Sequence, residues 1–486
     1  MSPADQPPRA GLAALEARVK KDLEDLCRPP ANWVPSKTRN DEPVTDVVIV
    51  GGGMCGMLIW FALQSAGMRN LRIVDRNPEG VEGPWITYAR METLRSPKHL
   101  TGPAYGMAAL TFRAWFEAQF GEAAWEELDK IPRAMWMDYL LWYRSVLSIP
   151  VENNVEVKRI RSENDLLRLE LDGEGTNETS MLVRKLVMAT GREGTGHPNI
   201  PDFMEGVPRT RFAHSSGAID FDMLRGKRVV VIGVGASAVE NAAEAAEAGA
   251  ADVRMLARRK EMPTINKMMG IGSFGFSAGY AALPDEWRWR FMHYSFATQT
   301  PAPHGSTRRA SRHDHVFYHF GAPVTDVRLD GDALRIDVEG GRHLAADFLI
   351  LGTGFTTDPL ARTEFGETAS EIQLWEDVYT PPPDEQDPDL ARFPYLNPDF
   401  TFREKVPGKA PWLANVYCFN YGATASLGKV SGDIPGISDG AAWLTRDIAT
   451  TLYREDIEAH WQRLLDYSKP ELQGDEWTES PLPDEE

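Results

Sequence analysis

A chain of 486 residues exceeds what one simple core holds and implies two or three domains. Its apolar share (42%) and charged share (25%) are those of a soluble globular protein. A net charge of −19 argues against a nucleic-acid or anionic-membrane partner, and the acidic excess reads as solubility.

Three widely spaced cysteines, Cys27, Cys55 and Cys418, form no C-x-x-C pair and suggest neither a disulfide framework nor a zinc site. The opening "MSPADQPPRAGLAALEARVKKDLEDL" carries acids and lacks a continuous apolar run, so it reads as no signal peptide. No segment has the uninterrupted apolar length of a membrane span. The expectation is a cytoplasmic protein without a membrane partner, with homo-oligomerisation left open.

Residues 9–27 predict an amphipathic helix, with Leu12, Leu15, Val19, Leu23 and Leu26 at helical spacing, stopped by the prolines of "RPPANWVPSK". It reads as a packing extension. From 45 to 360, strand-like and helix-like runs alternate, which predicts α/β architecture.

"TDVVIVGGGMCGMLIWFALQSAG" (45–67) joins a β-branched strand, a G-x-G-x-x-G loop and a helix ending at Gly67. Gly51 permits the tight turn, Gly53 lets the backbone approach a pyrophosphate, and Gly56 permits close helix–strand packing. The helix start offers free N–H groups to phosphate. "LRIVD" then ends in Asp75, near the offset at which a carboxylate meets ribose hydroxyls. The contacts expected here are Gly51, Gly52, Gly53, Met54, Cys55, Gly56, Asp75 and Arg76.

A second unit occupies 227–260, "KRVVVIGVGASAVENAAEAAEAGAADVRMLARRK", with Gly233, Gly235, Ala236, Ser237 and Ala238 at its turn. Its second strand ends in Arg258 and Arg259, where the first unit has an acid. Guanidinium groups there suit a 2′-phosphate, hence NADPH, which leaves FAD for the first unit.

Residues 262–320 form an aromatic-rich stretch without clear strand rhythm, and 377–412 a proline-rich irregular excursion. In "DEWRWRFMHYSF" (285–296), Trp287, Trp289, Phe291 and Tyr294 read as core, with a substrate-pocket wall or lid as the alternative. His313, His315 and His319 match no strong zinc pattern and read as packing or polar surface, so no metal is expected. "GDIPGISDGAAWLTRDIATTLY" (432–453) reads as a loop entering a helix with Asp439 as its cap.

Two small-residue turns follow apolar strands: Ala189-Thr190-Gly191, with Pro198 and Pro201 beyond, and Leu351-Gly352-Thr353-Gly354-Phe355 after Asp347. With the two glycine loops, they make the chain resemble the class B flavoprotein monooxygenases, which include the flavin-containing, Baeyer–Villiger and N-hydroxylating enzymes. The second turn is similar to that group's D-x-x-x-(L/F)-A-T-G-Y, with Gly for Ala and Phe for Tyr. "GPWITYARMETLRSPKHL", with Trp85 and Thr93–Pro97, and residues 396–420 are similar to N-hydroxylase segments. The resemblance covers roughly 45–450 and adds Trp85, Thr190, Gly191, Gly354 and Asp439 as cofactor contacts.

The chain also departs from that group. The F-x-G-x-x-x-H fingerprint around His214 is broken. Ala89 stands where ornithine hydroxylases carry a substrate-contacting lysine, so an ornithine-like substrate is not favoured.

The resemblance implies two Rossmann-like domains, an FAD domain interrupted by an NADPH domain. The expected division is an N-terminal helical extension (1–44), the FAD domain's first part (45–200), an NADPH domain with the aromatic insertion (201–345), the FAD domain's return with substrate-side loops (346–470) and an acidic tail (471–486). The implied activity uses NADPH and O2 to form a C4a-hydroperoxyflavin that N-hydroxylates a small amine or amino acid. Baeyer–Villiger or sulfur oxidation, or electron transfer to a partner, are the alternatives. The flavin carries the hard step, so no catalytic side chain is required; Arg95 and His99 are the candidates. A disulfide reductase lacks its cysteine pair, and a non-enzymatic flavin-binding module would leave two nucleotide loops without purpose.

Overall fold

The computed structural model describes residues 10–482, so the ends of the predicted first helix and acidic tail fall outside the described residues. Two sheets, the first mixed and the second parallel, carry the two glycine loops. In the first, Glu42–Val50 lies between Leu71–Asp75 and Ser180–Met188, all parallel, with Val151–Asn153 beyond Leu71–Asp75. Val47, Val48 and Ile49 are fully buried, as expected of a strand covered on both faces. Ser180–Met188 is shared: its first half pairs antiparallel with Leu166–Asp172, and its last three residues pair parallel with Val416–Cys418. The late segment thereby returns to the sheet in which the chain began.

The second sheet is parallel throughout, in the order Val316–His319, Asp252–Leu256, Arg228–Ile232, Phe348–Leu351, Phe212–His214. The helix Ala236–Glu247 covers one face. The antiparallel ribbon Val324–Asp330, Ala333–Val338, Arg342–Ala346 covers the other, burying Val327, Leu334 and Ile336 against Val230 and Leu349.

The sheets define domain edges that differ from those read in the sequence. Phe348–Leu351 lies beyond the expected boundary at 346 but pairs inside the second sheet. The chain crosses between the sheets on two antiparallel strands, Gly196–Pro198 and Phe355–Thr357, and we place the inserted domain's boundaries at that pair. At the other end, Glu42–Val50 begins within the expected extension, and Lys37–Arg39 pairs with it.

Val316–His319 is a strand in the stretch that had no strand rhythm. It has only four residues, VFYH, too few for alternation to register. Residues 377–412 are irregular as expected, apart from 3-10 turns and the short helix Pro388–Ala391. The aromatic helix Asp285–Thr298 divides: Trp289 and Met292 are buried with Trp375, Phe393 and Tyr395, whereas Trp287 and Tyr294 are 49% and 54% exposed. Its Arg288 donates to Ser426 O at 3.0 Å and Tyr395 Oη at 2.9 Å, and the Tyr280 hydroxyl donates to Ala425 O at 2.9 Å. These bonds tie the insertion to the returning first domain. The first helix, Ala10–Asp25, packs as an extension: Gly11 lies so close to Ala118 O that a Cβ would sit 2.0 Å from it. No helix among the described residues is long and apolar enough to cross a membrane.

Charges are buried where the last helices meet the first sheet. Arg184 is 2% exposed and donates to Asp46 at 3.3 Å, Asp456 at 2.8 Å and Glu455 at 3.0 Å. Burial pushes the Asp46 carboxyl up to about 6 against the pull of Arg184. Removing one partner of such a cluster strands the others in low dielectric, at about 3–5 kcal/mol. Arg184→Met should therefore lower stability by about that amount, read as an earlier denaturation midpoint in urea.

Candidate functional site

At the first loop the three glycines meet different surroundings. A Cβ on Gly51 (φ +107°) would lie 2.5 Å from Ala189 O, and one on Gly56 would lie 1.8 Å from Gly51 O. Those two positions are closed by the protein's own backbone. A Cβ on Gly53 would meet nothing nearer than Gly83, at 3.9 Å. Gly53 therefore faces open space, where a pyrophosphate would lie. It also caps the helix Met54–Ser65 with no side-chain hydrogen bond and no acid in the first turn. The N–H groups of the first turn are left for an anion.

Asp75 ends its strand, 6% exposed. Its Oδ2 accepts the Gly52 N–H at 2.7 Å and its Oδ1 the Asn77 N–H at 2.8 Å. The carboxylate is thus held in place by backbone and keeps a lone pair on each oxygen for a hydroxyl. Arg76 instead pairs with Glu193 at 3.1 Å and is exposed. Cys55 is a packing thiol: burial pushes it up to about 12, and its Sγ lies 3.8 Å from Ser431 O.

The surrounding elements converge on this loop. Glu82 accepts from Arg144 at 2.8 Å and Asn153 at 2.6 Å, fixing the segment that carries Gly83 and Trp85. Arg133 holds the Trp85 carbonyl, and the Trp85 ring meets Trp136 edge-on at 6.1 Å. Thr190 and Gly191 follow their strand, where Asn420 joins them. Fully buried, it donates to Met188 O and Thr190 Oγ1, both at 3.1 Å, and accepts the Gly422 N–H at 2.9 Å. No sequence motif marks Asn420; Met188 and Thr190, to which it donates, lie some 230 residues away. Asp439 is not the cap of the late helix. Gly436 caps Ile437–Glu455, because the chain turns there beneath Lys429 O, and Asp439 sits exposed in the first turn. Ser438 makes the local tie, donating to Gly102 O at 2.7 Å.

The second loop repeats the arrangement. Gly233 (φ +109°) and Gly352 approach within the reach of a Cβ, as do Gly352 and Ala238. Gly235 caps Ala236–Glu247, again without a side-chain cap, so Ala236 and Ser237 open the helix toward the cradle. Arg258 is exposed, whereas Arg259 donates to Ala297 O at 2.9 Å. Gly354 (φ +79°) lies in the crossover, where its carbonyl accepts from His214 Nε2 at 2.8 Å and from the Asn199 N–H at 2.9 Å. Burial lowers the His214 pKa, which favours the neutral ring.

Between the loops runs a charged seam. Arg95 crosses it to donate to Pro301 O at 2.7 Å; burial lowers its pKa, opposed by Glu240 and Asp433. Glu240, on the second-loop helix, is 5% exposed, accepts from Ser306 at 2.9 Å and is pushed up to about 7 by burial. Arg309 bridges Glu244 and the Arg90 carbonyl, both at 2.8 Å. Arg95 and His99 share the wall of an open cavity of about 500 Å³ with Lys98 and Lys130. His99 is exposed, its ring edge-on to Trp125.

Two uncapped helix starts, each after a glycine turn at the end of a parallel strand, can each hold a dinucleotide. Residues 48–270 match the pyridine nucleotide-disulphide oxidoreductase family. Among curated proteins, the FAD-dependent urate hydroxylase of Xanthomonas campestris pv. campestris is 37% identical over 466 residues, spanning 95% of this chain and 98% of its own length. The chain belongs to the family of that hydroxylase. It is a flavoprotein monooxygenase, an oxidoreductase. Solved structures with the same fold include the ornithine N-hydroxylase of Kutzneria sp. 744 (TM-score 0.64, 20% identity, 85% of this chain and 100% of that one). The L-lysine 6-monooxygenase of Pseudomonas syringae is another (0.61, 16%, 84% and 99%). All three cysteines are free thiols; Cys55 Sγ lies 3.8 Å from Ser431 O, and Cys418 Sγ lies 3.4 Å from Asn420 Oδ1.

The geometry separates glycines closed by backbone from glycines that border open space. Gly56→Ala should destabilise the flavin-free protein by about 1–3 kcal/mol through overpacking, while Gly53→Ala should melt within error of the parent. Thermal unfolding of the two variants checks this.

Proposed function

We propose that this chain is an FAD- and NADPH-dependent monooxygenase that hydroxylates an oxidised purine of the urate kind. The observation that carries the reading is the full-length relationship to the urate hydroxylase, in a chain whose two dinucleotide cradles are both intact. The N–H groups of Gly53 to Gly56 would hold the FAD pyrophosphate and Asp75 the adenosine ribose, with Gly51, Gly52, Met54, Trp85, Thr190 and Gly191 shaping the cradle. Gly233 to Ala238 would hold NADPH, with Arg258 at the 2′-phosphate. Bound FAD supplies activation of O2 and transfer of one oxygen atom, with NADPH as the electron source.

The chain's own part is binding, orientation and exclusion of water. Urate is an anion at neutral pH, and Arg95, at the seam between the two cradles, offers the matching charge. Its guanidinium is tied to Pro301 O at 2.7 Å. N-hydroxylation of a small amine is the second reading. It rests on fold, since the N-hydroxylase structures are 15–20% identical, and Ala89 does not supply the expected lysine.

The deciding experiment incubates the FAD-loaded enzyme with NADPH and O2 against urate and a panel of ornithine, lysine, diamines, sulfides and ketones. Urate should gain one oxygen atom with matched NADPH use. An N-hydroxylated amine with untouched urate would replace the reading. Rapid NADPH oxidation supported only by an electron acceptor would replace it with a reductase.

Coenzyme choice has its own test. Arg258→Ala should weaken NADPH by about one to two decades, the loss of one charge-assisted contact, and leave NADH nearly unchanged. Steady-state constants for both coenzymes measure the difference.

A further inference from the structure

The peptide Ala297–Pro301 touches three functional parts at once. Ala297 O accepts from Arg259 of the second nucleotide strand at 2.9 Å. Pro301 O accepts from Arg95 on the flavin side at 2.7 Å. Between them, Gln299 Nε2 lies 3.2 Å from the point that a Cβ on Gly235 would occupy. Gly235 is the glycine at which a dinucleotide's pyrophosphate approaches the backbone.

Gln299 is also held in a conformation that L-residues seldom adopt. It ends the helix Asp285–Thr298 at φ +56°, ψ 136°. Glycine is the ordinary occupant of such a corner, and strained non-glycine residues cluster at functional sites. Here a long carboxamide stands in its place. Its backbone N–H closes the helix on Ser295 O at 3.1 Å, while among the described residues its carboxamide makes no hydrogen bond to protein. A group able both to donate and to accept is therefore aimed, without a partner, at the mouth of the cradle.

We propose that Gln299 is a coenzyme-binding residue whose carboxamide hydrogen-bonds NADP(H) at the pyrophosphate and adjoining ribose, and that Ala297–Pro301 links an occupied coenzyme site to Arg95. The inference rests on the assignment of NADPH to the second loop. A neutral amide suits this place, because a carboxylate would oppose the pyrophosphate. The corner in the backbone is what brings the side chain back over Gly235 as the chain leaves the helix.

The test titrates NADP+ and NAD+ separately into the FAD-loaded protein, following flavin fluorescence or heat, with no turnover. Gln299→Ala should weaken both coenzymes about three- to tenfold and by the same factor, as loss of a neutral hydrogen bond away from the 2′-phosphate does. Arg258→Ala, by contrast, should weaken NADP+ alone. Gln299→Glu should weaken both further. Gln299→Gly should match Gln299→Ala in coenzyme affinity but melt at a higher temperature in the coenzyme-free protein, because its corner is relieved. Unchanged affinity in Gln299→Ala, with the parent binding NADP+ normally, overturns the role of Gln299. Glycine melting no higher than alanine overturns the strained corner. A parent that binds neither coenzyme overturns the NADPH assignment instead.

Discussion

Both nucleotide sites depend on one steric fact: at a few positions two backbones come closer than any side chain allows. Gly56 sits with its Cα against Gly51 O, and Gly352 lies between Ile232 O and Ala238. These approaches press each helix onto the ends of its parallel strands, so that the first turn of N–H groups opens at the sheet's edge. The adjoining glycines, Gly53 and Gly235, are free of such protein backbone contacts and border the space left for ligand. Closed and open glycines alternate within a few residues, and that alternation makes a tight turn into a cradle.

The two cradles then have to be held in register. The antiparallel pair Gly196–Pro198 and Phe355–Thr357 alone would leave a hinge. Polar contacts across the seam restrain it: Arg309 to the Arg90 carbonyl, Arg95 to Pro301 O, and Arg288 to Ser426 O. Several partners are carbonyl oxygens, whose hydrogen bonds survive changes of charge nearby. Glu240 is the exception. Burial pushes its carboxyl up to about 7 against the pull of Ser306, Arg309, Arg95 and Arg133.

What the sequence disclosed was local in the chain. The strand, loop, helix and terminal acid of the first unit span 45–75 and could be read because each residue's place in the fold is set by neighbours within thirty positions. The place of Arg258 and Arg259, just past the strand Asp252–Leu256, could be read for the same reason. Asn420 and Arg288 could not, since each bonds partners far along the chain, in patterns without periodicity; nor could Gln299, whose nearness to Gly235 only the fold creates. The place of Asp439 was misread because capping depends on where the chain turns, and Gly436 turns under Lys429 O. The strand Phe348–Leu351 was assigned to the wrong side of the boundary because its apolar run suits either sheet. Only its pairing with Arg228–Ile232 decides. The aromatic helix was half legible: its composition announced a core but not which of its rings would face outward.

The crossover has a consequence for how such a protein changes over time. The inserted domain begins and ends on neighbouring strands, with the Asn199 N–H bonded to Gly354 O at 2.9 Å. An insert whose two ends meet is a cassette: it can be lifted out and replaced by another coenzyme domain without moving the sheet that hosts it. The exchange is not free, however. Tyr280, Arg288 and Trp289 leave the cassette to bury themselves against Trp375, Tyr395 and Ala425 of the host. A replacement domain would have to bring, or inherit, that aromatic handshake with the host segment 375–427.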